Sequence, residues 1–161
     1  MKNNIIIRSV VKPEDVEYVR EIVTSTNFFH SYEIDVAVEL IEETLNKGNE
    51  SGYSFLFAEV DGKPVAYSCF GLIPCTKSSY DLYWIVVHHD FRGHGIGKKL
   101  LELTEQAARE IGGSGIYAET SSQPLYEPTR RFYISNNYIE EARLKDFYNL
   151  RDDKLVYSKR L

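Results

Sequence analysis

Apolar residues recur along the chain at two spacings, one typical of strands and one typical of helices. Alternating or β-branched runs predict strands over 5–11, 53–60, 63–72, 80–88 and 115–120, and a closing hairpin over 140–147 and 155–159. Apolar residues three and four positions apart predict helices from residue 13, over 34–45, over 96–111 and over 127–136. This order predicts one α/β domain over residues 1–161, with a single mixed β-sheet and helices on both faces.

Glycine and proline punctuate these segments. Asp61-Gly62 lies between two apolar runs and predicts a tight β-hairpin turn. Pro13 suits the first position of a helix, and Gly48 and Gly112 follow the last apolar residues of two others. The boundaries therefore agree with the predicted elements.

Composition narrows the class of protein. The chain is 43% hydrophobic and 27% charged, which is ordinary for a globular domain, and its net charge is −5. A net negative charge disfavours a nucleic-acid partner and mildly favours a cationic one, such as an amine. No run approaches the ~18 apolar residues of a membrane helix, and no signal peptide is evident, so we expect no membrane partner and a cytoplasmic location. The two cysteines, Cys69 and Cys75, lack the spacing of a metal site, and we expect none.

One glycine-rich loop has a pattern that suits anion binding. Arg92-Gly93-His94-Gly95-Ile96-Gly97 follows a predicted strand and opens a predicted helix. Glycines let a diphosphate approach the backbone, the unpaired N–H groups of the first helical turn point at it, and Arg92 adds positive charge. The spacing matches neither the nucleotide loop GxxxxGK[ST] nor the dinucleotide fingerprint GxGxxG. A glycine turn with a purely structural role is the alternative.

The stretch Ile85-Val86-Val87-His88-His89-Asp90-Phe91-Arg92-Gly93-His94-Gly95-Ile96-Gly97-Lys98-Lys99-Leu100-Leu101 resembles the acetyl-CoA motif of the GNAT superfamily of acetyltransferases. The order of elements resembles that family from end to end. The resemblance implies a V-shaped splay between the two central parallel strands, with acetyl-CoA as co-substrate in the gap. It also implies cofactor contacts from the main chain of Ile85 and Val87 and from the loop residues Arg92, Gly93, His94, Gly95, Ile96, Gly97 and Lys98.

Tyr133 is the candidate general acid. The family places its catalytic tyrosine five residues before an aromatic residue that follows a helix-ending glycine, and Tyr133 and Tyr138 match, with Asn137 in place of the glycine. A tyrosine hydroxyl can protonate the departing thiolate. Tyr126 stands where many relatives carry a cofactor-binding asparagine, so Arg130 or Arg131 is a candidate substitute. A core tyrosine is the alternative for Tyr133.

Asp81 is the candidate general base. Alternation along 80–87 puts Asp81 and Tyr83 on one face of a strand and Leu82 and Val86 on the other, apolar face. Asp81 lies six residues before Val87. Histone-type members of the superfamily resemble this chain here and carry a glutamate base at the position of Asp81. Glu119 at the end of the neighbouring strand is a second candidate. An ordinary carboxylate at a strand edge is the alternative for Asp81.

The acceptor is the least defined part of the prediction. Phe29 and His30 lie in a loop that resembles the acceptor side of the fold, and Tyr83 and Glu119 are further candidate contacts. The leading hypothesis is an N-acetyltransferase that moves acetyl from acetyl-CoA to a primary amine of a small molecule or amino acid. The tail 143–157 partly resembles protein N-terminal acetyltransferases of the ribosomal-protein alanine type, which is the alternative. A non-catalytic acetyl-CoA-binding module is a third hypothesis, and a homodimer is the candidate assembly.

Overall fold

The computed structural model describes residues 4–161, in which four α-helices and seven β-strands account for most of the chain. The helices are α1 Asp15–Ser25, α2 Ser31–Lys47, α3 Ile96–Glu110 and α4 Glu127–Ser135. The strands are β1 Ile5–Arg8, β2 Ser54–Val60, β3 Lys63–Leu72, β4 Ser79–Val87, β5 Gly115–Ser121, β6 Ile139–Asn149 and β7 Asp152–Arg160. Short 3₁₀ turns precede β2, α3 and α4.

The strands form one mixed sheet in the order β1-β2-β3-β4-β5-β7-β6. The ladder between β4 and β5 is parallel and pairs Ser79–Asp81 with Gly115–Tyr117. After its last paired residue, Asp81, β4 continues for six residues to Val87. Such a short parallel ladder is what the predicted splay between two central parallel strands requires.

The contacts within the chain group it into two compact units. The first unit contains the chain up to Gly71 together with Trp84–Thr104. Its core is an apolar cluster in which α1 and α2 pack on β2, β3 and β4, with Ile22, Ile41, Phe57 and Tyr67 among its most buried members. The hydroxyl groups of Ser68 and Thr104 are hydrogen-bonded at 2.7 Å, so α3 covers the face of β3 opposite to Tyr67 and Cys69. Helices thus cover both faces of the sheet, as predicted.

The second unit contains Leu72–Tyr83 and Glu105–Leu161. Strands β5 and β7 are antiparallel and paired from Gly115↔Arg160 to Ser121↔Lys154. Strand β6 pairs only with β7 among the strands of residues 4–161, so it forms an edge of the sheet. Ion pairing also holds this unit together, because the ammonium of Lys159 lies 3.0 Å from both carboxylate oxygens of buried Glu105.

Several boundaries were predicted correctly and others were not. Asp61 and Gly62 adopt φ of 51° and 78°, which confirms the predicted hairpin turn between β2 and β3. Strand β1 ends at Arg8 rather than at residue 11, and Arg8 is its last residue paired with β2. The Arg8 side chain forms ion pairs with buried Asp15 and with Glu59. The strands of the last hairpin are longer than predicted, because they extend to a turn at Leu150 and Arg151. In the described part of the chain, none of the helices is long and apolar enough to cross a membrane.

Candidate active site

The glycine-rich loop has the backbone that anion binding requires. Gly93 and Gly95 both adopt φ of +77°, a left-handed conformation that glycine adopts without strain. A Cβ atom at either position would have nothing within 4 Å, so the space above the loop is open. Helix α3 begins at Ile96, and the Lys99 N–H is the first to reach back to the Gly95 carbonyl, at 3.1 Å. The amides before Lys99 in this turn are therefore not used within the helix.

The start of this loop is held by two hydrogen bonds at the end of β4. The backbone N–H of His88 donates to the carbonyl of Val65 at 2.8 Å. The next N–H, of His89, donates to the hydroxyl of Ser25 at the end of α1, at 3.1 Å. Arg92, His94 and Lys98 are exposed, with no salt bridge among the residues described. A diphosphate would thus meet a fixed backbone and the exposed cations of Arg92 and Lys98, and the loop fits the pyrophosphate of acetyl-CoA.

The predicted main-chain contacts lie just upstream. Ile85 and Val87 are partly buried in the last part of β4, and the intervening Val86 is buried in the core of the first unit. The Val86 side chain therefore anchors this end of the strand. The cofactor role of Ile85 and Val87 stays a prediction.

Tyr133 lies in an aromatic cluster of the second unit. Its side chain is 5% exposed, and its ring lies 5.4 Å from that of Tyr138 and 5.8 Å from that of Tyr157, centroid to centroid. Burial raises the pKa of Tyr133 above its ordinary value. The hydroxyl therefore carries its proton at neutral pH, as a general acid must before it acts.

The end of α4 explains how Asn137 replaces a glycine. Asn137 adopts φ of +70°, a left-handed conformation that asparagine tolerates. The N–H of Tyr138 donates to the carbonyl of Tyr133 at 3.0 Å, and the N–H of Asn137 donates to that of Ile134 at 3.1 Å. These two bonds and the ring contact between Tyr133 and Tyr138 form a Schellman cap. The cap fixes the backbone at Tyr133.

Three of the candidate residues, from two neighbouring strands, meet in one pocket. The pocket has a volume of about 220 Å³ and is lined by Asp81, Leu82, Tyr83, Glu119 and Tyr148. Asp81 and Tyr83 come from β4, Glu119 from β5 and Tyr148 from β6. The structure thus brings together two carboxylates and two tyrosine side chains.

The pocket lies on the more exposed face of these strands. Asp81 is opposite Tyr117 on β5, and Tyr117 is opposite Ser158 on β7, so Asp81 and Glu119 point to the same side. The alternate residues of the three strands are buried on the other side: Tyr80, Leu82, Ile116, Ala118, Leu155 and Tyr157. Tyr133 packs on Tyr157 of that buried face. The candidate acid and the candidate base therefore lie on opposite faces of the sheet.

The charge of Glu119 affects the pKa of Asp81. Burial and, next, the negative charge of Glu119 raise the pKa of Asp81, while the positive charge of Lys154 lowers it. Glu119 is itself paired with Lys154, whose Nζ lies 3.0 Å from the Glu119 Oε2. Burial and the charge of Glu119 also raise the pKa of the Tyr148 hydroxyl. The pocket is anionic and suits a cationic ligand.

Comparison with known proteins decides the family. The profile of the Acetyltransferase (GNAT) family matches residues 16–134. The chain belongs to the GNAT acetyltransferase family. A GNAT-family protein from Desulfovibrio desulfuricans is 42% identical, with 98% of this chain and 99% of that chain aligned at a TM-score of 0.96. A comparison with curated proteins finds no match.

More distant GNAT structures share the fold. An aminoglycoside 6'-N-acetyltransferase complexed with coenzyme A is 18% identical, with 96% of both chains covered and a TM-score of 0.75. A ribosomal-protein-alanine N-acetyltransferase from Brucella melitensis is 24% identical, covering 97% of this chain and 99% of that one at a TM-score of 0.77. As a GNAT N-acetyltransferase, the chain uses acetyl-CoA as its co-substrate. Its acceptor is not defined by these relatives.

Two candidate acceptor residues of this acetyltransferase also have structural roles. The ring of Phe29 packs at 5.1 Å from that of Trp84, beside the core of the first unit. His30 precedes α2, and its N–H donates to the carboxylate of Glu33 at 2.7 Å in a capping arrangement. Their contact with an acceptor stays a prediction.

The two arginines considered for the cofactor are occupied by protein groups. Arg130 donates to the carbonyls of Ser121 and Gln123, at 2.8 and 2.9 Å. Arg131 pairs with Glu127 at 2.7 Å on the exposed side of α4. In this GNAT chain, Arg130 thus stabilises the turn between β5 and α4.

Sequence reasoning missed Tyr148 and Lys154 as parts of the site. Both lie in the closing hairpin. Leu144 is opposite Lys154 and Asn149 is opposite Asp152, and β6 is irregular between these two pairs. This irregularity is not visible in the apolar pattern.

Proposed function

We propose that this GNAT enzyme acetylates the primary amine of a small molecule or amino acid, and that the acceptor binds as an ammonium ion between Asp81 and Glu119. The observation that carries the proposal is the meeting of these two carboxylates in one pocket. An ammonium group donates three hydrogen bonds, and carboxylates are its strongest acceptors. The rings of Tyr83 and Tyr148 add surfaces that favour a cation.

The dimensions of the pocket favour a compact acceptor. A volume of about 220 Å³ lies below the usual 300–1,000 Å³ of small-molecule pockets. An amino acid or a short amine suits that space. Its walls are mainly polar side chains, which orient a charged group.

Each candidate residue then has one role. The loop from Arg92 to Lys98 binds the pyrophosphate of acetyl-CoA, the thioester that supplies the acetyl group. Asp81 accepts the ammonium proton, directly or through one water, which leaves a neutral amine. In the transfer a C–N bond forms and the C–S bond breaks, and Tyr133, from the other face of the sheet across the splay between β4 and β5, gives its proton to the thiolate sulfur. The nitrogen loses its second proton to water, and water returns a proton to Tyr133.

A thiol-release assay tests this proposal. Purified enzyme and acetyl-CoA are offered amino acids, short monoamines, polyamines and peptides with a free N-terminal alanine. We expect release with a compact primary amine and a large loss of kcat/KM in Glu119→Gln. Release with peptides alone would support the protein N-terminal alternative. Binding of acetyl-CoA with no release by any acceptor would support a non-catalytic module.

A further inference from the structure

Lys154 is held beside the proposed ammonium site. On β7 it is opposite Ser121 of β5, and it is therefore a diagonal neighbour of Glu119 on the same face of the sheet. Its Nζ lies 3.0 Å from the Glu119 Oε2 and 4.5 Å from the centroid of the Phe147 ring. The Lys154 side chain is 18% exposed, against 48% for Glu119. The lysine is thus a fixed charge rather than a solvated one.

These contacts are of the kind that an acceptor ammonium would make. The carboxylate of Glu119 and the ring of Phe147 together hold the ammonium of Lys154. One of the two carboxylates of the pocket is therefore already paired with a cation. With Asp81, Glu119 and Lys154 all ionised, one negative charge is left uncompensated. A second ammonium on the acceptor would have to share Glu119 with Lys154, at short range from a like charge.

Other ionisable side chains of the second unit lie on the same face of the sheet as Asp81. They are Tyr83 on β4, Tyr117 and Glu119 on β5, Glu141 and Tyr148 on β6, and Asp152, Lys154 and Arg160 on β7. Arg160 donates to the Tyr117 hydroxyl at 3.3 Å, and Asp152 accepts from the Ser121 hydroxyl. Lys154 is the cation of this group that pairs with a carboxylate lining the pocket.

We propose that Lys154 is a specificity-determining residue, which neutralises Glu119 and thereby restricts the acceptor to amines with a single positive charge. The inference rests on the proposed function, because it concerns the same acceptor pocket. It adds the substrate class: monocationic amines are preferred, and diamines and polyamines are disfavoured.

The test compares a monoamine and a diamine of the same chain length as acceptors, at saturating acetyl-CoA. We expect the wild type to prefer the monoamine. Lys154→Met should lower the ratio of kcat/KM for monoamine over diamine by about tenfold, because Glu119 is then free to bind the second ammonium. Lys154→Arg keeps the charge and should keep the preference. Lys77→Met removes a lysine from an exposed loop of the same unit and is the matched control.

A second readout does not depend on turnover. The pKa of the Asp81 carboxyl, measured by NMR titration, should rise in Lys154→Met and not in Lys154→Arg, because a nearby cation stabilises the carboxylate. An active Lys154→Met enzyme with an unchanged ratio would overturn the inference and leave the proposed function intact. An unchanged Asp81 pKa would also overturn it. If no amine releases thiol from the wild type, the proposed function fails. In that case the Asp81 pKa in Lys154→Met still tests the charge effect of Lys154 by itself.

Discussion

At the scale of single residues, the candidate acid and base occupy different environments. Tyr133 is enclosed by the rings of Tyr138 and Tyr157, whereas Asp81 borders an open pocket next to Glu119. Burial is the main cause of the raised pKa in both cases. A tyrosine is protonated at neutral pH without any shift, and the raised pKa makes Tyr133 a weaker proton donor. The raised pKa makes Asp81 a better proton acceptor than an exposed aspartate.

Tyr133→Phe tests the acid. We expect kcat to fall by about 10²- to 10⁴-fold, the usual effect of losing a general acid, with little change in acetyl-CoA affinity. The fold should survive, since a phenylalanine ring keeps the contacts with Tyr138 and Tyr157. Tyr18→Phe on α1 is the control for loss of a tyrosine hydroxyl. Turnover within about threefold of wild type, where chemistry limits the rate, would remove Tyr133 from the mechanism.

Asp81→Asn tests the base through pH. Because the folded-state pKa of Asp81 is raised, kcat/KM should fall on acidification at a pH above the ordinary pKa of an aspartate. Asparagine cannot take the proton, so this acidic limb should flatten and the reaction at neutral pH should slow. An acceptor of lower pKa should partly rescue the variant, since more of it is already neutral.

Glu119→Gln should move the acidic limb of the same pH profile rather than flatten it. It removes a negative charge that raises the pKa of Asp81, so the acidic limb should move to lower pH. The pH profile of kcat/KM in both variants is the measurement. A profile that Asp81→Asn leaves intact would show that the amine loses its proton elsewhere.

At the scale of secondary-structure elements, the site depends on how two helices begin and end. Helix α3 begins with backbone amides that are not used within the helix, next to two glycines with left-handed backbone. The neighbouring end of β4 is held by hydrogen bonds to Val65 and Ser25. The end of α4 is closed by a Schellman cap through Asn137. The first arrangement suits an anion, and the second fixes the position of Tyr133.

Gly95→Asp tests the loop. Acetyl-CoA at about 100 times its Kd should stabilise the wild type by about 2.7 kcal/mol and raise its Tm. The aspartate adds a side chain and a negative charge in the open space at the loop, so the ligand-induced rise in Tm should vanish. Thermal melts with and without acetyl-CoA give the result.

Gly62→Asp is the matched control for this loop variant. Gly62 has φ of +78° and open space around its Cβ position, like Gly95, but lies in the β2–β3 turn. Both variants should lose about 1 kcal/mol to backbone strain, and only Gly95→Asp should lose the acetyl-CoA effect. A folded Gly95→Asp protein that keeps the full rise in Tm would contradict the loop assignment.

At the scale of the whole molecule, charge is the property that bears on function. The net charge is −5, and the proposed acceptor pocket carries two carboxylates and one lysine. Long-range attraction of a cationic acceptor is therefore expected, and salt screens it with a Debye length of about 10 Å at 0.1 M. The predicted single domain, homodimer and cytoplasmic location stay predictions.

Ionic strength tests this attraction. With acetyl-CoA saturating, the KM of an ammonium acceptor should rise a few-fold from low to high salt, while kcat changes little. An acceptor that is neutral at the assay pH serves as the comparison, since its KM should be nearly independent of salt. Equal salt dependence for both acceptors would show that charge does not guide binding.

The sequence by itself determined the elements and the position of the glycine-rich loop. Local rules were enough for these features, because apolar spacing, the Asp61-Gly62 turn and the left-handed position of Asn137 depend on neighbours along the chain. The strand-to-helix loop from Arg92 to Gly97 was recognisable for the same reason. Alternation along β4 also put Asp81 and Tyr83 on one face, and both line the pocket.

Tertiary structure alone decided which distant residues meet at the proposed acceptor pocket. Tyr148 and Lys154 reach it through the pairing of β6 with β7 and of β7 with β5, and a shift of one residue in register would turn each side chain to the other face. The irregular stretch of β6 before Asn149 and the pairing of Glu119 with Lys154 leave no trace in the apolar pattern. Local sequence sets which face a residue can take within its strand, but long-range pairing sets which charges face one another, and those charges determine the chemistry of the pocket.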